Sequence, residues 1–192
     1  MNYFSEYFQE SVKAFQDMER IAQDLELIAD AMHSTLMAGG KIMWMGNGGS
    51  ASDAQHLAAE LVGKFELNRP PLASIALTTD TSIITATGND YSFEKIFERQ
   101  ILAIGKQGDF LVGISTSGKS QNVLLGFEVA RIMGIKTLFL TGSSALRNNI
   151  DATFSIFAPA VRTCHIQELH IAIGQSLCGY IEKKYFGTSA TS

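Results

Sequence analysis

Apolar residues fall at Phe4, Phe8, Val12, Phe15, Met18, Ile21, Leu25, Ile28, Met32 and Leu36, every gap being three or four residues. That spacing keeps side chains on one face of a helix and predicts helix over residues 1–36. The stretch is long for a solitary globular helix. It reads either as two helices in succession or as one that lies against an equally long partner, and a stripe this long favours a partner in another subunit. Gly39-Gly40 supplies the C-cap signal.

Beyond Gly40 the pattern changes. Short apolar runs bounded by glycine and small polar residues predict buried strands over 41–45, 72–77, 109–114, 136–140 and 153–157. Helical spacing lies between them, over 51–62, 91–104, 120–134 and 163–185. A shorter helix is expected from a cap in Thr79-Asp80-Thr81-Ser82 to about residue 87, with Gly88-Asn89-Asp90 breaking it. Strands alternating with helices specify the α/β class, a five-stranded parallel sheet flanked by helices with right-handed crossovers. The expected organisation is one domain over 1–192, a helical segment at 1–36 leading into an α/β core at 37–187. The last five residues are expected to fray.

Composition narrows the setting. A hydrophobic share of 46% in 192 residues excludes a disordered chain. Fifteen Lys+Arg against nineteen Asp+Glu leave a net charge of −4, which argues against direct nucleic-acid binding through a general basic field. Cys164 and Cys178 form no disulfide framework and read as packing residues in a reducing compartment. No signal peptide or membrane span is legible, so a cytoplasmic protein is expected.

Ligands of an open parallel sheet sit beyond the carboxyl ends of its strands. Two loops there have unusual composition. Gly46-Asn47-Gly48-Gly49-Ser50 lets backbone approach a ligand closely and leads into a helix. Ser115-Thr116-Ser117-Gly118-Lys119-Ser120 gathers four hydroxyls around one glycine at another helix start, a composition suited to a phosphate ester. Neither loop is a nucleotide fingerprint, and each alone also fits a tight turn that caps a helix. His56 and Glu60 stand four apart on the helix that follows the first loop, so they share a face. They fit a general base with its partner, two metal ligands, or a plain surface pair. In the last helix, Gln167 and Gln175 are eight residues apart and occupy adjoining parts of the surface, while His170 points well away from Gln175.

Four stretches together carry a resemblance: GNGGSASDAQHLAAEL at 46–61, ALTTDTSIITATGNDYSFEKIF at 76–97, GDFLVGISTSGKSQNV at 108–123 and IQELH at 166–170. They resemble the SIS (sugar isomerase) family and, within it, the phosphoheptose isomerases. The resemblance implies a homotetramer with the N-terminal helix in a central bundle. It implies conversion of the ketose sedoheptulose 7-phosphate to the aldose D-glycero-D-manno-heptose 7-phosphate, for lipopolysaccharide core synthesis. By match, Ser115, Thr116, Ser117 and Ser120 hold the phosphate. Asn47, Gly48, Gly49 and Ser50 line the sugar site, and Asn89 and Asp90 contact hydroxyls. Glu60 is the base that moves a proton between C1 and C2. His56, Glu60 and Gln167 match positions that bind zinc in some members, with Gln167 also on the substrate side.

One position departs from the family pattern. Gln175 stands where phosphoheptose isomerases carry a histidine that acts as the second acid/base group and as a zinc ligand. An amide exchanges no proton near neutral pH and is a poor zinc donor. The departure keeps a second reading open. A near relative, the DnaA initiator-associating SIS protein, shares the fold and tetramer and binds the replication initiator DnaA instead of doing chemistry.

Overall fold

The computed structural model describes residues 2–145 and 151–187. The expected fraying of the last five residues lies outside them. The N-terminal stripe forms two helices, α1 (Tyr3–Asp17) and α2 (Ala22–Met37), joined by a 3-10 turn at Met18–Ile21. The stripe also divides by environment. Ile28, Met32 and Leu36 of α2 enter the core, whereas Phe4, Phe8, Val12 and Phe15 of α1 stay exposed. Gly39 adopts φ +81° just past the end of α2, the left-handed cap its sequence position suggests.

Five strands follow: β1 (Ile42–Gly46), β2 (Ser74–Ala76), β3 (Phe110–Ser115), β4 (Lys136–Gly142) and β5 (Phe154–Ala158). All neighbours are parallel, in the order β2-β1-β3-β4-β5. The intervening helices are α3 (Gly49–Val62), α4 (Thr81–Asp90), α5 (Ile96–Ile104) and α6 (Gln121–Ile132), and α7 (Thr163–Phe186) closes the chain. Strand residues alternate between faces, as a period of two requires. Ile42, Trp44, Phe110, Val112 and Ile114 pack with α2, α3 and α7. Met43, Met45, Leu111 and Phe139 pack with α5 and α6 on the other face. Among the described residues no helix is long and apolar enough to cross a membrane.

Two boundaries differ from expectation. Gly88-Asn89-Asp90 does not break its helix; α4 runs through it to Asp90. Asp80 starts that helix by accepting from Ile83 N–H at 2.9 Å, and a glycine in the last turn costs too little to undo it. The next helix begins late, with a 3-10 turn at Phe93–Lys95 before α5, because Ser92 is extended.

The connection from α3 to β2 is held by a buried ion pair. Arg69 Nε donates to Glu182 Oε1 at 2.7 Å, with both side chains almost fully enclosed. Glu182 also accepts from the backbone N–H of Phe65, Glu66 and Leu67. Arg69 donates in turn to the carbonyls of Glu60, Leu61 and Pro70. Burial by itself would raise the Glu182 carboxyl, but these four donors outweigh it and hold the group below its usual range. Removing one partner of such a pair strands the other's charge. Glu182→Gln is therefore expected to cost about 3–5 kcal/mol, read from urea unfolding, and an unchanged midpoint would remove the pair from the fold's main supports.

His170, on α7, is completely buried. Burial pushes its imidazole down to about 4. An unfolded histidine titrates near 6.5, so this residue's contribution is complete above about pH 6.5 and is lost as pH falls toward 4. The parent should lose on the order of 3 kcal/mol across that window, and His170→Leu should lack this part of the slope in unfolding titrations.

Candidate active site

The strand order places β1 between β2 and β3, so the chain turns one way after β1 and the other way after β2. That reversal is a topological switch point, and the crevice outside it is where ligands of such sheets bind. The two unusual loops leave the sheet on either side of this crevice. Asn47 and Gly48 follow β1, and Gly49 and Ser50 already belong to the first turn of α3. Ser115 ends β3, and Thr116 to Ser120 lead into α6.

The serine loop is internally braced. Ser115 Oγ and Ser120 Oγ lie 2.8 Å apart. Ser117 Oγ accepts from Lys119 N–H at 3.2 Å, and Gly118 N–H donates to the Ser115 carbonyl. Gly142 N–H, at the end of β4, donates to the Thr116 carbonyl at 3.1 Å. Ser120 precedes α6 without capping it through its side chain, and no described hydrogen bond engages the N–H groups of Gln121 and Asn122 at the start of that helix, whereas Val123 N–H is taken by the Ser120 carbonyl and Asn122 Oδ1. An anion placed there meets hydroxyls and a helix N-terminus rather than a cluster of cations.

Gln167 comes to the same edge from α7. A Cβ added to Gly49 would stand 2.4 Å from Gln167 Nε2, so only glycine lets the amide lie over the start of α3. Further along, Gly174 has the same role: a Cβ there would meet Leu57 Cδ1 at 2.3 Å. This close approach of α7 to α3 delivers the next residue, Gln175, to His56. Their Nε2 atoms are 3.4 Å apart.

His56 Nε2 also lies 2.9 Å from Glu60 Oε1. One ring nitrogen cannot donate to Glu60 and accept from Gln175 at once. The shorter contact, to a carboxylate, claims the proton. Asp53, one turn before His56, completes a face that sequence reasoning passed over. Its Oδ2 is buried without a partner among the described residues, and burial raises its carboxyl, partly offset by His56. The spacing Asp53, His56, Glu60 was the signal available. Asn122 was missed as well: its carboxamide pairs with Asn47 across the crevice.

The predicted residues therefore fall into two groups. Asn47, Gly48, Gly49, Ser50, the four hydroxyls and Gln167 surround the crevice. His56, Glu60 and Gln175 form a second cluster toward the far end of α3, with Glu60 about 16 Å of helical rise beyond Gly49. Asn89 and Asp90 stand at the C-terminal end of α4, where Asn89 Nδ2 donates to Asp90 Oδ1 at 2.8 Å; no described hydrogen bond joins either side chain to the two groups. No third His, Cys, Asp or Glu joins His56 and Glu60 as a metal-binding group among the described residues.

The family model for the SIS domain matches residues 6–142. The phosphoheptose isomerase of Akkermansia muciniphila is 48% identical over 187 residues, covering 95% of this chain and 99% of its own. Two solved structures are similar as well. A phosphoheptose isomerase from Francisella tularensis superposes with a TM-score of 0.89 at 38% identity, covering 94% of this chain and 96% of that one. That of Neisseria gonorrhoeae gives 0.83 at 40%, covering 94% and 97%.

Proposed function

The chain belongs to the phosphoheptose isomerases of the SIS family, and from that membership we propose that it converts sedoheptulose 7-phosphate to D-glycero-D-manno-heptose 7-phosphate. The observation that carries the reading is the His56–Glu60 pair, 2.9 Å apart on the helix that leaves the glycine loop at the switch point. An extended seven-carbon sugar phosphate has its anion at one end and its reacting carbons at the other. In this reading the serine loop takes the anion and the Glu60 cluster, further along α3, meets the reacting carbons.

In this reading the phosphate is held by Ser115, Thr116, Ser117 and Ser120 with the N-terminus of α6. Asn47, Gly48, Gly49, Ser50 and Gln167 line the adjoining sugar. Asn89 and Asp90 are proposed to bind hydroxyls. The Glu60 carboxylate takes the proton from C1 of the ketose and returns it to C2 of the resulting enediol. Protons must also move between O1 and O2. Gln175 can hydrogen-bond these oxygens but cannot exchange a proton. His56 is the titratable neighbour of Glu60, and we assign it that transfer.

Zinc does not fit the residues present. Catalytic zinc sites use three protein ligands drawn from His, Cys, Asp and Glu. His56 and Glu60 supply two, and the candidates beside them, Gln167 and Gln175, are amides. No step is therefore routed through a metal. The assembly we propose is the homotetramer, because Tyr3, Phe4, Phe8, Val12 and Phe15 leave α1 with an uncovered apolar stripe. The setting we propose is the cytoplasm. The alternative of a DnaA-binding tetramer rests on Gln175 alone and draws no support from the relatives named above.

The deciding assay follows sedoheptulose 7-phosphate in D₂O by NMR. Deuterium entering C2 of the aldose is expected from the parent, and absence of turnover would overturn the reading. Glu60→Gln should lower kcat by about 10²–10⁴-fold, the usual worth of a general base; parental turnover would clear Glu60 of the role. Gln175→His should raise kcat by about tenfold or more. It should also bring zinc binding measurable by calorimetry, where the parent is expected to show none. A variant with neither gain would show that Gln175 is not the position limiting this site.

A further inference from the structure

The pairing of β1 with β3 runs from Ile42↔Phe110 to Gly46↔Ile114, and there the ladder stops. The two strands then give way to the loops that flank the crevice. One linkage continues across the gap. Asn47 Nδ2 donates to Asn122 Oδ1 at 2.9 Å, and Asn122 Nδ2 donates back to Asn47 Oδ1 at 2.8 Å. Asn122 Oδ1 also accepts from Val123 N–H at 3.0 Å, which fixes the amide to the first turn of α6. Asn122 is only 3% exposed.

Two planar carboxamides that exchange both hydrogen bonds fix the separation of their backbones and their mutual tilt. A single bond between flexible side chains would leave both free to vary. The pair joins the first residue of the glycine loop to the helix that opens from the serine loop. Asn122 is too enclosed to act as a ligand, and its acceptor already serves two donors.

We propose that Asn122 is a positioning residue: through its reciprocal amide pair with Asn47 it sets the width of the crevice, so that both loops can contact one sugar phosphate at the same time. The substrate in this proposal rests on the isomerase reading. The consequence concerns ligands that span the crevice. Inorganic phosphate needs only the serine loop, whereas a sugar phosphate needs both loops at a fixed spacing.

The test compares Asn122→Ala, Asn122→Asp, Asn47→Ala and the Asn47→Ala/Asn122→Ala double variant in the full chain. The readouts are KM and kcat for sedoheptulose 7-phosphate, and calorimetric Kd values for that sugar phosphate and for inorganic phosphate. Asn122→Ala and Asn122→Asp should raise KM and Kd for the sugar phosphate about tenfold, with kcat within about threefold and Kd for inorganic phosphate within about twofold of the parent, while Asn47→Ala, which also removes a residue of the sugar site, should be at least as impaired toward the sugar phosphate. The double variant should be no worse than the worse single variant, since both changes remove the same linkage. An unchanged sugar-phosphate affinity would overturn the proposal. So would an equal loss for inorganic phosphate, which would make Asn122 a support of the serine loop alone. If Asn122→Ala does not fold, Asn122→Asp decides: it keeps volume and acceptor but removes the donor to Asn47. A parent that binds the sugar phosphate without isomerising it would sink the isomerase reading, while the strut would still be judged on the two Kd values.

Discussion

The buried pair of Arg69 and Glu182 fixes the geometry on which the candidate site depends. Burying two charges is costly unless nearly every donor and acceptor is used. Here Glu182 takes three backbone N–H groups of the 65–67 turn as well as Arg69 Nε. The guanidinium also donates to the Glu60 and Leu61 carbonyls near the end of α3, the first at 2.7 Å, and to the Pro70 carbonyl in the connection that follows. One interaction thereby ends α3, folds the chain back toward β2 and ties both to α7. The helix that carries His56 and Glu60 is held at its C-terminal end by this clamp. Near its N-terminal end the Gln167 amide of α7 lies close over Gly49. Both neighbours belong to α7, which also brings Gln175 to His56.

What the sequence revealed follows from which interactions are local. Strands β1 and β3 are buried on both faces, so IMWM and FLVGI read as unbroken apolar runs. The paired loops were legible because glycine and serine in that density have few other uses at a strand end. Gly88 misled because its residue type signals a break, while the cap that starts α4 and the packing along it decide otherwise. The N-terminal stripe gave the helices but not their surroundings: one periodic pattern covers both the buried Ile28-Met32-Leu36 and the exposed Phe4-Phe8-Phe15. Arg69 and Asn122 were illegible for a different reason. Each acts through a partner far along the chain, 113 and 75 residues away, and no spacing rule reaches that far.

The two ends of the site use different physics. At the proposed phosphate end the available groups are neutral: hydroxyls, amides and helix N–H groups. Those dipoles are fixed by the fold and do not titrate near neutral pH, so attraction for an anion is available in a chain of net charge −4 without a basic patch. At the other end stand the titratable side chains, Asp53, His56 and Glu60, on one face of α3. Asp53 holds a buried oxygen without a partner among the described residues, which leaves the carboxylate sensitive to any charge change at His56 three residues on.

This separation clarifies what Gln175 changes. An amide preserves the shape of the site and can still hydrogen-bond with substrate oxygens, so nothing at the phosphate end needs to adjust. In the proposed mechanism the loss is confined to proton transfer and to metal affinity. With an imidazole at that position, the second acid/base group would stand across from Glu60, and His56 would be one of several donors around it. With an amide there, His56 is the proton-exchanging neighbour of Glu60, already hydrogen-bonded to it at 2.9 Å. The proton on its Nε2 is the one such a site has available for the oxygen of an enediol. In the proposed mechanism the acid/base burden therefore falls on α3 instead of α7, with both partners one turn apart on that helix.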